Sequence, residues 1–147
     1  MNLKPACEHA ASSLVDLRDG LQHLAERHAA EADVYHVGLG LAVRCNDAAR
    51  SFGDGKPATP APQPGHAPGE DEPAAGLALL EDLRKLAVQA HGAQIDVLIV
   101  QQGAMAARDR ELVMAAKAAT AEIGRVDKWL QTRIKETAPQ ALAGLPS

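Results

Sequence analysis

At 147 residues, with a net charge of −4 and 2% aromatics, the chain is long enough to bury a core without disulfides or metals. Acids and bases are mixed along it, and Tyr35, Phe52 and Trp129 are too few to stack bases, so nucleic-acid binding is not expected. The Val97–Val100 run is far too short for a bilayer and no apolar leader opens the chain, so we expect no membrane partner and a cytoplasmic location.

The dominant residues are Ala, Leu, Glu, Gln, Arg and Lys, the strong helix formers. Runs of β-branched residues of strand length are missing apart from Ile95–Val100. The reading is all-α: an antiparallel four-helix bundle, made of two helical hairpins joined by a long Pro/Ala/Gly-rich linker, in a single domain over 1–147.

The first helix is predicted over about 3–31, with Asn2 as its cap. Its apolar seam, Leu3, Cys7, Ala10, Leu14, Leu17, Leu21 and Leu24, alternates steps of four and three, and His28 is next in phase. The chain reverses near Ala32-Asp33, and Asp33 is expected to cap a second helix over about 34–52. The seam there is Val34, Val37, Leu41, Cys45, Ala48 and Phe52. Gly38 and Gly40 inside this helix imply either a closely packed neighbour or tolerance on an exposed face.

In such a hairpin residue i faces roughly residue 64 − i, which sets Cys45 opposite Asp19 and about 18 Å from the level of Cys7. A disulfide between them is out of reach, and two free thiols are expected.

Residues 53–72 form the predicted linker. Six of the nine prolines lie between Gly53 and Pro73, where Leu, Ile and Val are absent, so regular structure is not expected. Proteolytic cleavage is expected at Lys56 and a solvated side chain at His66. The length admits either an up-down-up-down order or a crossover along the bundle.

The third helix is predicted over about 73–102, stopped by Gly103, with the seam Leu79, Leu83, Leu86, Ala90, Ala93, Val97 and Val100. Ile95–Val100 is expected to widen its buried face. The fourth is predicted over about 106–138, ending before Pro139, with the seam Leu112, Ala116, Ala119, Ile123, Val126, Leu130 and Ile134, and Trp129 on its flank. Residues from Gln140 onward are expected to fray.

Catalytic motifs are lacking. No serine sits in a G-x-S-x-G elbow and no phosphate-binding loop occurs, so the leaning is against an enzyme. A carboxylate-bridged di-metal bundle needs Glu-x-x-His on two helices; this chain has none, and Asp33–His36 is the nearest approach. The metal candidates are His28, His36, Glu31 and His91, with a divalent transition metal as the implied cofactor or no cofactor at all.

The leading functional expectation is a non-catalytic binding or assembly module, partnered by its own copies or by another helical protein. A small-residue surface on the fourth helix, Ala115, Ala116, Ala118, Ala119 and Ala121, offers the contact. The alternatives are a metal- or cofactor-binding bundle with a histidine site, ferritin-like in architecture only, and a small-molecule sensor.

Overall fold

The computed structural model describes residues 1–53 and 72–146. Among the described residues there are four helices: α1 Lys4–Arg27, α2 Ala32–Arg50, α3 Glu72–Ala107 and α4 Arg110–Ala143. The predicted linker, with its Lys56 cleavage and solvated His66, lies outside the described residues.

The packing follows the seams. Leu14, Leu17, Leu21 and Leu24 of α1 are buried, and so is every predicted seam residue of α3 from Leu79 to Val100. On α4, Ala116, Ala119, Ile123, Val126 and Leu130 are buried, with Leu112, Trp129 and Ile134 packed beside them. All of these enter one aliphatic core shared by the four helices.

Neighbouring helices are α1 with α2, α1 with α3, α3 with α4, and α2 with α4. Every neighbour pair is antiparallel. Between α1 and α3, His28 meets Asp82, Ser13 meets Asp96, and Leu3 reaches Gly103. Between α2 and α4, Asp33 meets Arg133 and Arg44 meets Glu122. Arg18 of α1 bonds Asn46 of α2, as the 64 − i pairing requires.

Because α2 and α3 both oppose α1, they run parallel to each other on one diagonal. The end of α2 and the start of α3 therefore lie at opposite ends of the bundle, about 35 Å apart along the axis at the standard helical rise. The connection is a crossover, and the up-down-up-down alternative is ruled out.

Several predicted boundaries are corrected. Asn2 still accepts the Lys4 N–H on Oδ1 at 3.1 Å, but Leu3 holds the cap position of α1. The first helix ends at Arg27, four residues early, because the turn to α2 occupies residues 28–31. Asp33 does not cap α2: Glu31 takes that position, and Asp33 in the first turn pairs with Arg133 at 3.1 Å.

Gly103 does not stop α3, which continues to Ala107. A Cβ at Gly103 would lie 2.7 Å from Leu3 Cδ2, so this glycine admits the start of α1 against α3. The stop comes at Arg108, with φ at +57°. There the Asp109 N–H reaches back to the Ala104 carbonyl at 2.9 Å, a Schellman-type closure. Asp109 then caps α4, accepting the Leu112 N–H at 3.1 Å.

The fourth helix passes through Pro139 to Ala143 rather than ending at Ala138. Proline inside a helix removes one backbone bond. The last turns persist because Ala141 is buried against Gly76 of α3, its Cβ 3.4 Å from where a Gly76 Cβ would stand.

Gly38 and Gly40 divide between the two expected reasons. A Cβ at Gly38 would press on Ala25 Cβ at 3.3 Å, so α1 and α2 approach closely there. Gly40 is exposed with open space around it.

Candidate functional site

The face that α3 turns toward α1 carries Asp82, Gln89, Asp96 and Gly103 at seven-residue intervals. Seven residues are close to two helical turns, so these positions form one line. Each meets α1: Asp82 at Arg27 and His28, Gln89 at Gly20, Asp96 at Ser13 and His9, Gly103 at Leu3. The two carboxylates are the polar ties of this helix pair.

Asp82 is the better buried, with its side chain 12% exposed. His28 Nε2 donates to its Oδ2 at 2.7 Å, and Arg27 Nη1 donates to both oxygens at 3.1 and 3.2 Å. His28 gets there because it follows Leu24 by four residues, so it is in seam phase and faces α3. Removing the carboxylate leaves a buried imidazole nitrogen and a half-buried guanidinium without this partner. Asp82→Ala is expected to lower stability by about 1–3 kcal/mol, and Val43→Ala, on the outside of α2, by less than about 0.5 kcal/mol. Equal denaturant midpoints for the two variants would show that the tie adds nothing.

Asp96 accepts from Ser13 Oγ, and His9 Nε2 stands 3.5 Å from its other oxygen. Serine, aspartate and histidine thus meet, but the carboxylate lies in the middle. In a nucleophilic triad the imidazole takes the serine proton and the carboxylate orients the imidazole. Here Asp96 occupies the serine's hydrogen bond, and His9 is mostly exposed.

The four metal candidates do not converge. His28 is spent on Asp82. His36 projects outward from α2, its ring edge-on to Tyr35 at 5.2 Å between centroids. Glu31 is exposed in the turn. His91 is exposed on α3, nine residues from Asp82 and so about 13 Å farther along the axis. Among the described residues, no group of three or more His, Cys, Asp or Glu side chains is placed to hold a metal ion.

At the end of the bundle where α1 turns into α2, a half-open cavity of about 600 Å³ is lined by His28, Arg27, Leu79, Arg133, Thr137 and neighbouring residues. Its two arginines are already paired: Arg27 with Asp82, and Arg133 with Asp33 and Glu136.

Both cysteines are free, as expected. Burial, and secondarily the charge of Asp109, raises the Cys7 thiol above its ordinary value. Cys45 is fully buried, and burial with the nearby Glu122 charge pushes its thiol up to about 12.

The largest departure from the sequence expectation is on the outside of α3. Ile95, Leu98 and Ile99 do not widen the buried face; they are 47%, 53% and 56% exposed. Val88 and Met105 on the same helix are also exposed. A second apolar stripe therefore runs opposite the core seam, through Val88, Gly92, Ile95, Ile99 and Ala106. Between Leu86 and Ala107 the only charged residue is Asp96, which is engaged with α1. The alanine surface expected on α4 is largely used internally: Ala116 and Ala119 are in the core and Ala115 packs against it, leaving Ala118 and Ala121 exposed. No described helix is long and apolar enough to cross a membrane. Comparison of the chain with family models, curated proteins and solved structures gives no match.

Proposed function

We propose that this chain is a non-catalytic helical-bundle assembly module that associates with its own copies. The observation that carries the proposal is the outer stripe of α3, where Val88, Ile95, Leu98 and Ile99 stand exposed on one helix. Contiguous apolar surface of this kind on a folded chain marks an interaction face. The polar groups support the non-catalytic part of the proposal. His28 is tied to Asp82, and Ser13 bonds a carboxylate where a nucleophilic triad has an imidazole.

Light scattering over a hundredfold dilution from micromolar concentration tests it. The expected result is a mass of at least two chains at the upper end, falling on dilution. A single-chain mass throughout would remove the assembly reading.

A further inference from the structure

We infer that α3 is the contact helix of a two-fold homodimer, pairing antiparallel with α3 of a second copy about a centre between Gly92 and Ile95. This rests on the self-association proposed above and adds its geometry.

The outer stripe advances from Val88 to Gly92, Ile95, Ile99, Gln102 and Ala106 in steps of four and three. That is the spacing of a helix–helix seam, here on the face opposite the one that builds the core. Gly92 is its unusual member. Glycine in a helix interior is less favourable than alanine, a cost that close packing against a neighbour offsets. For Gly20, Gly38 and Gly103 the fold supplies that neighbour: an added Cβ would meet another helix at 2.5, 3.3 and 2.7 Å. At Gly92 an added Cβ would meet nothing within 4 Å. Gly40 and Gly124 are equally open, but Arg44 and Lys128 stand one turn away from them. Only Gly92 lies within the uncharged stripe.

The stripe is complementary to itself. Gly92 is a gap and Ile95, three residues on, is a projection. In the antiparallel register where residue i meets residue 187 − i, Ile95 of each copy fills the gap at Gly92 of the other, and Val88 meets Ile99 on either side. This is knob-into-hole packing, with the glycine admitting the second backbone closely. Lys85 then meets Gln102, so no like charges oppose each other across the stripe. Val88, Ile95, Leu98, Ile99 and Met105 on this side of α3 are each 47% exposed or more, which supplies the apolar centre that a pairing surface needs.

The test uses the full chain in four forms: wild type, Gly92→Ala, Ile95→Lys and Val43→Lys. Val43 is 60% exposed on α2 and serves as the control for a new surface lysine. Gly92→Ala is expected to weaken dimerisation at least tenfold in sedimentation while leaving the thermal midpoint of the dilute chain equal or higher. Ile95→Lys is expected to be monomeric with unchanged helicity, and Val43→Lys to dimerise like wild type. Spin labels at Lys85→Cys, in a Cys7→Ala background, report the direction: antiparallel pairing offsets the two labels by about 25 Å along the axis. Labels closer than about 15 Å mean parallel pairing and overturn the geometry. A dimer that withstands both Ile95→Lys and Gly92→Ala overturns α3 as the contact while leaving self-association standing; a monomeric wild type overturns both.

Discussion

Leu83→Ala and Leu17→Ala are each expected to lower the stability of the bundle by about 2–5 kcal/mol. Both side chains are 0% exposed, on neighbouring helices α3 and α1. Truncation removes the transfer free energy of three carbons and leaves a cavity that rigid helices close only in part. This core is unusually dependent on its leucines, because the chain has only three aromatic residues and many core positions are alanine. An alanine neighbour has no rotamer with which to fill the void. The loss should appear as a lower denaturant midpoint with an unchanged slope, showing that the unfolding transition is otherwise the same. Leu98→Ala, on the outer face of α3, should change the stability of the dilute monomer by less than about 0.5 kcal/mol. Matching losses for Leu83→Ala and Leu98→Ala would mean that the two faces of α3 have been exchanged.

The second large effect concerns Cys45 at alkaline pH. Its thiol, pushed up to about 12 by burial and by the Glu122 charge, ordinarily titrates near 9.0. Between these values the folded chain holds the proton while the unfolded chain releases it, so unfolding is favoured as pH rises. The contribution is fully present below about pH 9 and is lost as the pH rises through about 12. Each unit of difference corresponds to about 1.4 kcal/mol, so the full swing is about 4 kcal/mol. Cys45→Ala removes the titration along with some packing. The stability advantage of wild type over Cys45→Ala should therefore be flat up to about pH 9 and narrow by about 1.4 kcal/mol per unit above it. Lysine and tyrosine ionisation affects both chains and cancels in the comparison. A difference independent of pH from 8 to 11 would show that water already reaches and solvates the thiolate in the folded chain. The same burial predicts that a thiol reagent at neutral pH labels half-buried Cys7 and spares Cys45.

The seams were legible in the chain because side-chain direction along a helix is a local, periodic property. Leu79, Leu83, Leu86, Ala90, Ala93, Val97 and Val100 repeat in steps of four and three, and all are buried. The hairpin pairing of α1 with α2 was legible for the same reason, since a short turn leaves little freedom in register. The outer stripe was harder to read. Where a helix is apolar on two opposite faces, periodicity does not say which face meets the core, and Ile95, Leu98 and Ile99 looked like more of the same buried surface. Gly103 carried a similar ambiguity: a glycine late in a helix reads as a stop, and only Leu3, a hundred residues earlier, shows that it is a point of close approach.

The histidines depended on distant parts of the chain in the same way. The phase of His28 pointed it inward, but Asp82, its partner, follows a Pro-rich connection whose composition is indifferent to direction. With α3 running the other way, Asp82 would have stood at the far end of α1, and His28 would have been free to meet another ligand. Local spacing is set by the geometry of the backbone within one helix. Which faces meet, and in which direction, is set by the free energy of burying them together, and that sum runs over residues the chain keeps far apart until it folds.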